Sequence, residues 1–284
     1  MRQRSARAHG RPWLVGLSGL QGSGKSTLAD QLATAAGARG IRSRVLALDD
    51  FYLGRRARAQ LARTTHPLLA TRGVPGTHDV ALLDQVLDAL RCAGARHPAR
   101  IPRFDKGRDT RLPPSRWRRI EEPPQLVIVE GWCVGVPAED ARALATPANA
   151  LERDEDRDGR WRQWVNARLG ADYAALWRRL DRLVVLEAPD FAIVTRWRGE
   201  QERALRRRRA PQAMDATALR RFLMHYERLS RHALRVLPAR ADLRIRLGSD
   251  RAVLDVVARR TAREVSVPGA PASRVASRRR IARG

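Results

Sequence analysis

A three-layer α/β sandwich, a mainly parallel five-stranded sheet with helices on both faces, is the fold the sequence predicts, on three observations. Short continuous apolar runs alternate with helically spaced apolar residues, a glycine-rich turn joins the first run to the first helix, and acidic residues directly follow the second and third runs. Continuous apolar strands suit a parallel sheet because helices bury both of its faces. The runs lie at residues 13–17, 44–48, 126–129, 183–186 and 243–247, and a helical pattern covers 27–36 after the first. Val80, Leu83, Leu87 and Leu90 share one helical face behind Asp79, a candidate N-cap, and Trp161, Val165, Leu169, Leu176 and Leu180 share another. Further helices are expected over about 191–208 and 216–237, and Asp250 stands where a last one would start. Residues 54–76, 97–124 and 135–160 are rich in Pro, Gly and charge and read as long functional loops.

The chain has 284 residues, 43% hydrophobic and 30% charged, which is enough apolar material for a core. One domain over 12–263 is expected, with a basic extension over 1–11 before it and a flexible basic tail over 264–284 after it. No apolar run approaches the roughly 20 residues that span a bilayer. The basic start leads into no long apolar stretch of the secretory kind, so a soluble, cytoplasmic protein is expected. Two cysteines, Cys92 and Cys133, are too few for a disulfide framework or a zinc site.

Net charge is +26, and the basic residues are 54 arginines and two lysines, Lys25 and Lys106. Each end contributes +4, leaving +18 on the body. Such a charge attracts polyanions, so a nucleic-acid-associated NTPase is a rival reading. Against it, the chain carries no zinc-finger or aromatic-studded RNA-binding signature. Where arginine supplies nearly all positive charge, each lysine raises the question of whether its site needs a compact ammonium in place of a planar fork.

Gly19-Leu20-Gln21-Gly22-Ser23-Gly24-Lys25-Ser26 fits the phosphate-binding P-loop pattern throughout, and it lies between a strand and a helix that opens with Thr27. Glycines let backbone amides turn toward phosphate oxygens, and the helix N-terminus adds its positive dipole end. Lys25 reaches the outer phosphates and the Ser26 hydroxyl ligates Mg²⁺. The sandwich is therefore of the P-loop NTPase type, binding a nucleoside triphosphate. Asp49-Asp50 and Glu130-Gly131 end the second and third strands, at the edge where α/β sheets bind ligands. Acids also end strands as turn formers, but a phosphate site needs a metal-binding acid on a neighbouring strand. The loop from Arg72 to Asp79 has a cation at one end and a His-Asp pair at the other, which suits an anionic, hydroxylated substrate. Arg72 would grip a carboxylate, and His78 and Asp79, with Thr77 beside them, would bond hydroxyls; Asp79 equally suits a helix cap.

These stretches resemble the P-loop small-molecule kinases, among them uridine kinase, pantothenate kinase and phosphoribulokinase, and within that group the D-glycerate 3-kinase family. The resemblance is carried by Asp49-Asp50-Phe51-Tyr52, the loop from Arg72 to Asp79, Pro102-Arg103-Phe104-Asp105-Lys106, Glu130-Gly131-Trp132-Cys133-Val134-Gly135 and Trp197-Arg198-Gly199-Glu200-Gln201-Glu202. It implies transfer of the γ-phosphoryl of ATP to a hydroxyl of a small hydroxy acid, D-glycerate giving 3-phosphoglycerate. A nucleoside, pantothenate or a sugar phosphate is the alternative acceptor on the same fold. Asp49 would orient or deprotonate the accepting hydroxyl, with Asp50 as the fallback. Ser26 and Glu130 would hold Mg²⁺, Asp49 sharing it through water. Arg103, Asp105 and Lys106 would lie beside the acceptor, and Arg196 and Arg198 would belong to a lid over the triphosphate. Trp132, His225 and Tyr226 read as packing residues.

Overall fold

The computed structural model describes residues 11–207 and 214–259; the basic tail, the extension before Arg11, and Arg208 and Arg209 lie outside the described residues. In chain order the strands are β1 (Trp13–Gly19), β2 (Ser43–Ala47), β3 (Ala99–Ile101), β4 (Phe104–Asp105), β5 (Thr110–Arg111), β6 (Arg118–Ile120), β7 (Leu126–Gly131), β8 (Arg182–Glu187), β9 (Leu243–Leu247) and β10 (Val253–Ala258). The helices are α1 (Lys25–Gly37), α2 (Arg55–Thr64), α3 (Val80–Arg91), α4 (Ala150–Glu155), α5 (Arg160–Arg168), α6 (Ala174–Trp177), α7 (Ala192–Arg207) and α8 (Ala216–Arg240). Among the described residues no helix is long and apolar enough to cross a membrane.

The central sheet runs β10-β9-β8-β1-β7-β2, parallel throughout except for β10. Because successive side chains on a strand point to opposite faces, each strand feeds two cores. Leu14, Leu46, Val127, Val129, Leu183 and Val185 pack with α3 and the second half of α8 on one face. Leu17, Ile128, Val184 and Leu186 pack with α1, α7 and the start of α8 on the other. Register places Leu17 and Ala47 on either side of Glu130, so β1, β7 and β2 end in one row.

Four expectations are corrected. The sheet has six strands, not five, and the segment after Asp250 is β10 instead of a helix. The Asp250 side chain accepts the Ala252 amide at 2.9 Å, and Gly248 and Ala252 close a tight turn with Arg251 at a φ of 68°. Asp250 is thus a turn former, and the β-branched run behind it pairs with β9. The helix expected through Trp161 and Leu180 is interrupted by a π-helical turn at Leu169–Tyr173, which lets Tyr173 point into the core. The presumed loops contain α2, α4 and two small antiparallel pairs, β3 with β6 and β4 with β5.

A third, smaller core seats the Arg72–Asp79 loop: Val74 packs with Leu68, Leu69, Leu151 and Trp161. Its far side is closed by an ion pair. Asp156, wholly buried, accepts the Trp161 amide at 2.8 Å and the Arg162 amide at 3.2 Å, and it pairs with the Arg162 guanidinium at 2.8 Å. Removing one partner of a buried pair strands the other charge, at a cost of about 3–5 kcal/mol. Asp156→Ala is therefore expected to lower unfolding stability by about that amount in urea titration. A loss under about 1 kcal/mol would mean that water reaches Arg162 and the pair is not sealed.

Candidate active site

The P-loop leaves β1 at Gly19 and enters α1 at Lys25 through two left-handed residues, Gly22 at a φ of 80° and Gly24 at 87°. A side chain at Gly22 would also meet Trp197 at 2.7 Å, so the loop and α7 can pack this closely only with glycine there. Leu20 anchors the loop in the core and Gln21 and Ser23 lie against it, while Thr27 is exposed on α1. The loop is braced from outside by Arg251 in the β9–β10 turn, which donates to the Gly22 carbonyl at 2.7 Å and to Glu200 at 2.7 Å. Trp197 completes the brace, lying under the Arg251 guanidinium and donating to the Ser249 carbonyl at 2.8 Å. Sequence reasoning missed Arg251, because one arginine among 54 carries no signal.

Ser26 donates to Glu130 at 2.8 Å, joining the P-loop to the end of β7. Burial pushes the Glu130 carboxyl up, against the nearby Lys25 ammonium and the Ser26 bond. Its second oxygen is buried without a hydrogen-bond partner among the described residues. The two acids after β2 turn apart. Asp49 pairs with Lys106 at 2.6 Å; burial pushes its carboxyl up, but the charges of Lys106 and Lys25 prevail and hold it at about 2. Asp50 accepts the Phe104 amide at 3.0 Å, and burial raises its carboxyl. Asp49 thus faces the phosphate site, while Asp50 fastens the chain to the β4–β5 hairpin.

The Arg72–Asp79 loop is zipped to the chain after Asp50: the Leu53 amide donates to Thr77 and the Asp79 amide to Phe51, at 2.8 and 2.7 Å. Thr77 is turned inward, donating to the Val74 carbonyl at 2.7 Å and accepting the Gly73 amide at 3.0 Å. Asp79 caps α3 through Leu82 at 3.0 Å and binds Arg111 at 3.1 Å. His78 stacks on Tyr52 at 4.4 Å and meets the Tyr173 hydroxyl at 2.7 Å; burial lowers it to about 4, against the pull of Asp49, so the ring is neutral near pH 7. Its buried Nε2 has no hydrogen-bond partner among the described residues. The loop's other end is held by Trp132, which donates to the Gly73 carbonyl at 3.1 Å, and by Tyr226, which donates to the Arg72 carbonyl at 3.1 Å. These two aromatics are packing residues with a polar duty.

Arg72 stands over Phe104 and binds Asp109 at 2.5 Å. Asp105 shapes the hairpin turn, accepting the Gly107 and Arg108 amides at 2.9 and 3.0 Å. Arg103 lines an outer cleft with Asp50, Lys106 and Arg116. On α7, Arg196 pairs with Glu200 at 3.5 Å, and Arg198 binds Glu202 and Gln201 at 2.6 Å. The structure therefore brings Lys25, Ser26, Asp49, Lys106 and Glu130 together, with Arg72 and His78 beside them. It gives Thr77, Asp79, Asp50 and Asp105 scaffold contacts and ties Arg196 and Arg198 to their own helix.

No protein-family model matches the chain. It is 36% identical over 237 residues to the uncharacterised kinase mug58 of Schizosaccharomyces pombe, covering 79% of this chain and 82% of that one. The chloroplastic D-glycerate 3-kinase of Arabidopsis thaliana is 31% identical over 205 residues, 69% of this chain and 42% of the plant protein. D-glycerate 3-kinase from Cryptococcus neoformans has the same fold, with a TM-score of 0.72 over 89% of this chain and 92% of that one at 23% identity. With the P-loop, the strand-terminal acids and a relative matched over most of both lengths, the chain belongs to the D-glycerate 3-kinase family of P-loop kinases.

Proposed function

We propose that this protein transfers the γ-phosphoryl group of ATP to a hydroxyl of a small hydroxy acid, D-glycerate, yielding 3-phosphoglycerate. The observation that carries the reading is Asp49: an ionised carboxylate under the charges of the P-loop lysine and Lys106, with Arg72 on the adjoining loop. A kinase of this kind needs an anion to orient the accepting hydroxyl, cations for the phosphates and a cation for the acceptor's carboxylate. The name of the plant relative supports D-glycerate as the acceptor.

The P-loop amides and Lys25 would hold the β- and γ-phosphates. Mg²⁺ suits the residues beside them: the Ser26 hydroxyl, the orphaned buried oxygen of Glu130 and the Asp49 carboxylate are hard oxygen donors. When bound, the ion would supply positive charge to neutralise the phosphates during transfer. Asp49 accepts a hydrogen bond from the acceptor's hydroxyl and aims its oxygen at the γ-phosphorus. As the new O–P bond forms and the bond to ADP breaks, the hydroxyl proton passes to Asp49. A group held at about 2 is a weak base, which suits a loose transition state in which the proton moves late.

Release of ADP requiring ATP, Mg²⁺ and D-glycerate is the direct test, and Lys25→Ala is expected to abolish it. Asp49→Asn should lower kcat by about 10²–10⁴ while leaving ATP binding intact. Asp50→Asn should cost less than about tenfold, because its amide oxygen can still accept the Phe104 amide. Equal losses in the two variants would overturn the division of labour between the acids.

A pH profile tests the cation beside Asp49. Without the Lys106 charge, burial dominates and the Asp49 carboxyl rises, so the inactive protonated form extends to higher pH. Lys106→Met should therefore move the acid limb of kcat/KM upward by about one unit or more. An unmoved limb would detach Lys106 from the ionisation of Asp49.

A further inference from the structure

We propose that Arg58 and Arg72 form the pocket for the acceptor's carboxylate, and that Asp109 fills this pocket with its own carboxylate until the acceptor binds. The inference rests on the hydroxy-acid reading above and assigns residues within the same site. Arg58, on α2, is 1% exposed. It donates through Nη2 to Asp109, while its Nε and Nη1 are buried without a hydrogen-bond partner among the described residues. Arg72 donates through Nη1 to the other oxygen of Asp109. One carboxylate thus serves two guanidiniums, leaving a positive charge in excess and two buried donors unmet. Guanidiniums bind carboxylates best through paired donors, and unmet buried donors are costly. A carboxylate fixed at a hairpin tip reaches a single nitrogen of Arg58, whereas a free one can turn to meet two.

Asp109 is built to give way. It sits at the tip of the β4–β5 hairpin, whose strands have two residues each, at a φ of 54°, and it is 32% exposed. Three residues earlier on the same tip, Lys106 holds Asp49. The two contacts lie close together: Arg72 stands 5.8 Å over the Phe104 ring, and the Phe104 amide is bound by Asp50, next in the chain to Asp49. The tip therefore offers an ammonium to the acid and an acid to the cations. A hydroxy acid engages the same partners, its hydroxyl on Asp49 and its carboxylate on Arg58 and Arg72, so each end of the acceptor replaces one contact of the tip.

The experiment compares wild type, Asp109→Asn and Arg58→Lys in steady-state kinetics, together with thermal shifts by D-glycerate, D-lactate and glycerol. Removing an internal competitor raises the fraction of protein competent to bind. Asp109→Asn should lower KM for D-glycerate by about three- to tenfold, with KM for ATP unchanged. Arg58→Lys should raise KM for D-glycerate by about tenfold or more, with kcat much less affected. The two carboxylates should stabilise Asp109→Asn more than they stabilise wild type, and glycerol should stabilise neither. A KM for D-glycerate that is unchanged or raised in Asp109→Asn overturns the proposal, as does stabilisation by glycerol equal to that by D-glycerate. If Arg58→Lys fails to fold, the Asp109→Asn result decides alone. If wild type does not turn over D-glycerate yet the carboxylate shifts follow this pattern, the pocket stands and the acceptor assignment fails. If wild type turns it over and the pattern is absent, this inference fails by itself.

Discussion

In a parallel sheet every strand ends in the same sense, so one edge collects all the turns that follow the strands. Here that edge brings Gly19, Glu130 and the chain after Ala47 into one row, fixed by the register of β1 and β2 on β7. The consequence is electrostatic. A helix N-terminus and an ammonium arrive from β1, and a carboxylate from each of the next two strands in the row, β7 and β2. None of these groups could be buried alone without a large desolvation cost. Together they compensate one another, as the opposing effects of burial and Lys25 on Glu130 and Asp49 illustrate.

The arginine-rich composition gains a second meaning from the interior. Arg58, Arg162 and Arg228 are each nearly or largely buried and each holds an acid, Arg58 and Arg228 one from a distant part of the chain and Arg162 the nearby Asp156. Arg228 shows why a guanidinium suits the task. It binds Glu152 at 2.7 Å and donates to the Ala143 and Thr146 carbonyls as well, satisfying three segments with one planar group. Part of the positive charge is therefore internal mortar and does not form a surface stripe of the kind that tracks a nucleic-acid backbone. The Arg162 and Arg228 contacts hold α4, α5 and α8 around the small core in which Val74 is seated, so they act on the acceptor loop without touching it.

How much of this was legible beforehand follows from where the signals lie. Five strands were readable because both of their faces are covered, which demands unbroken apolar runs. The sixth was not: β10 is an edge strand whose Val253, Leu254 and Val256 are more than half exposed, and Asp250 before it signals a turn as readily as a helix. The two-residue strands of the β4–β5 hairpin are too short to have a period at all. At the site, the P-loop was legible because its parts are contiguous in sequence. The division between Asp49 and Asp50 was not, since only the third dimension shows which one meets Lys106 and which one meets the Phe104 amide. Arg58, Asp109 and Arg251 come from a helix, a hairpin tip and a distant turn. Two of them are arginines in a chain where arginine is the rule.

The scarcity of lysine points the other way. The chain has two lysines, and the charges of both bear on Asp49. At position 25 the P-loop requires a slender ammonium that can lie along the phosphates. At position 106 the requirement is reversibility. A guanidinium there would lock Asp49 in a two-pronged pair, with its remaining donors seeking partners in the space the acceptor must enter. An ammonium holds the carboxylate through one contact, keeps it ionised against burial, and is itself more than half exposed, so water can receive it when it leaves. Asp49 is thereby kept charged without being consumed by its own counter-ion, which is the condition under which a half-buried acid can still take hold of an incoming hydroxyl.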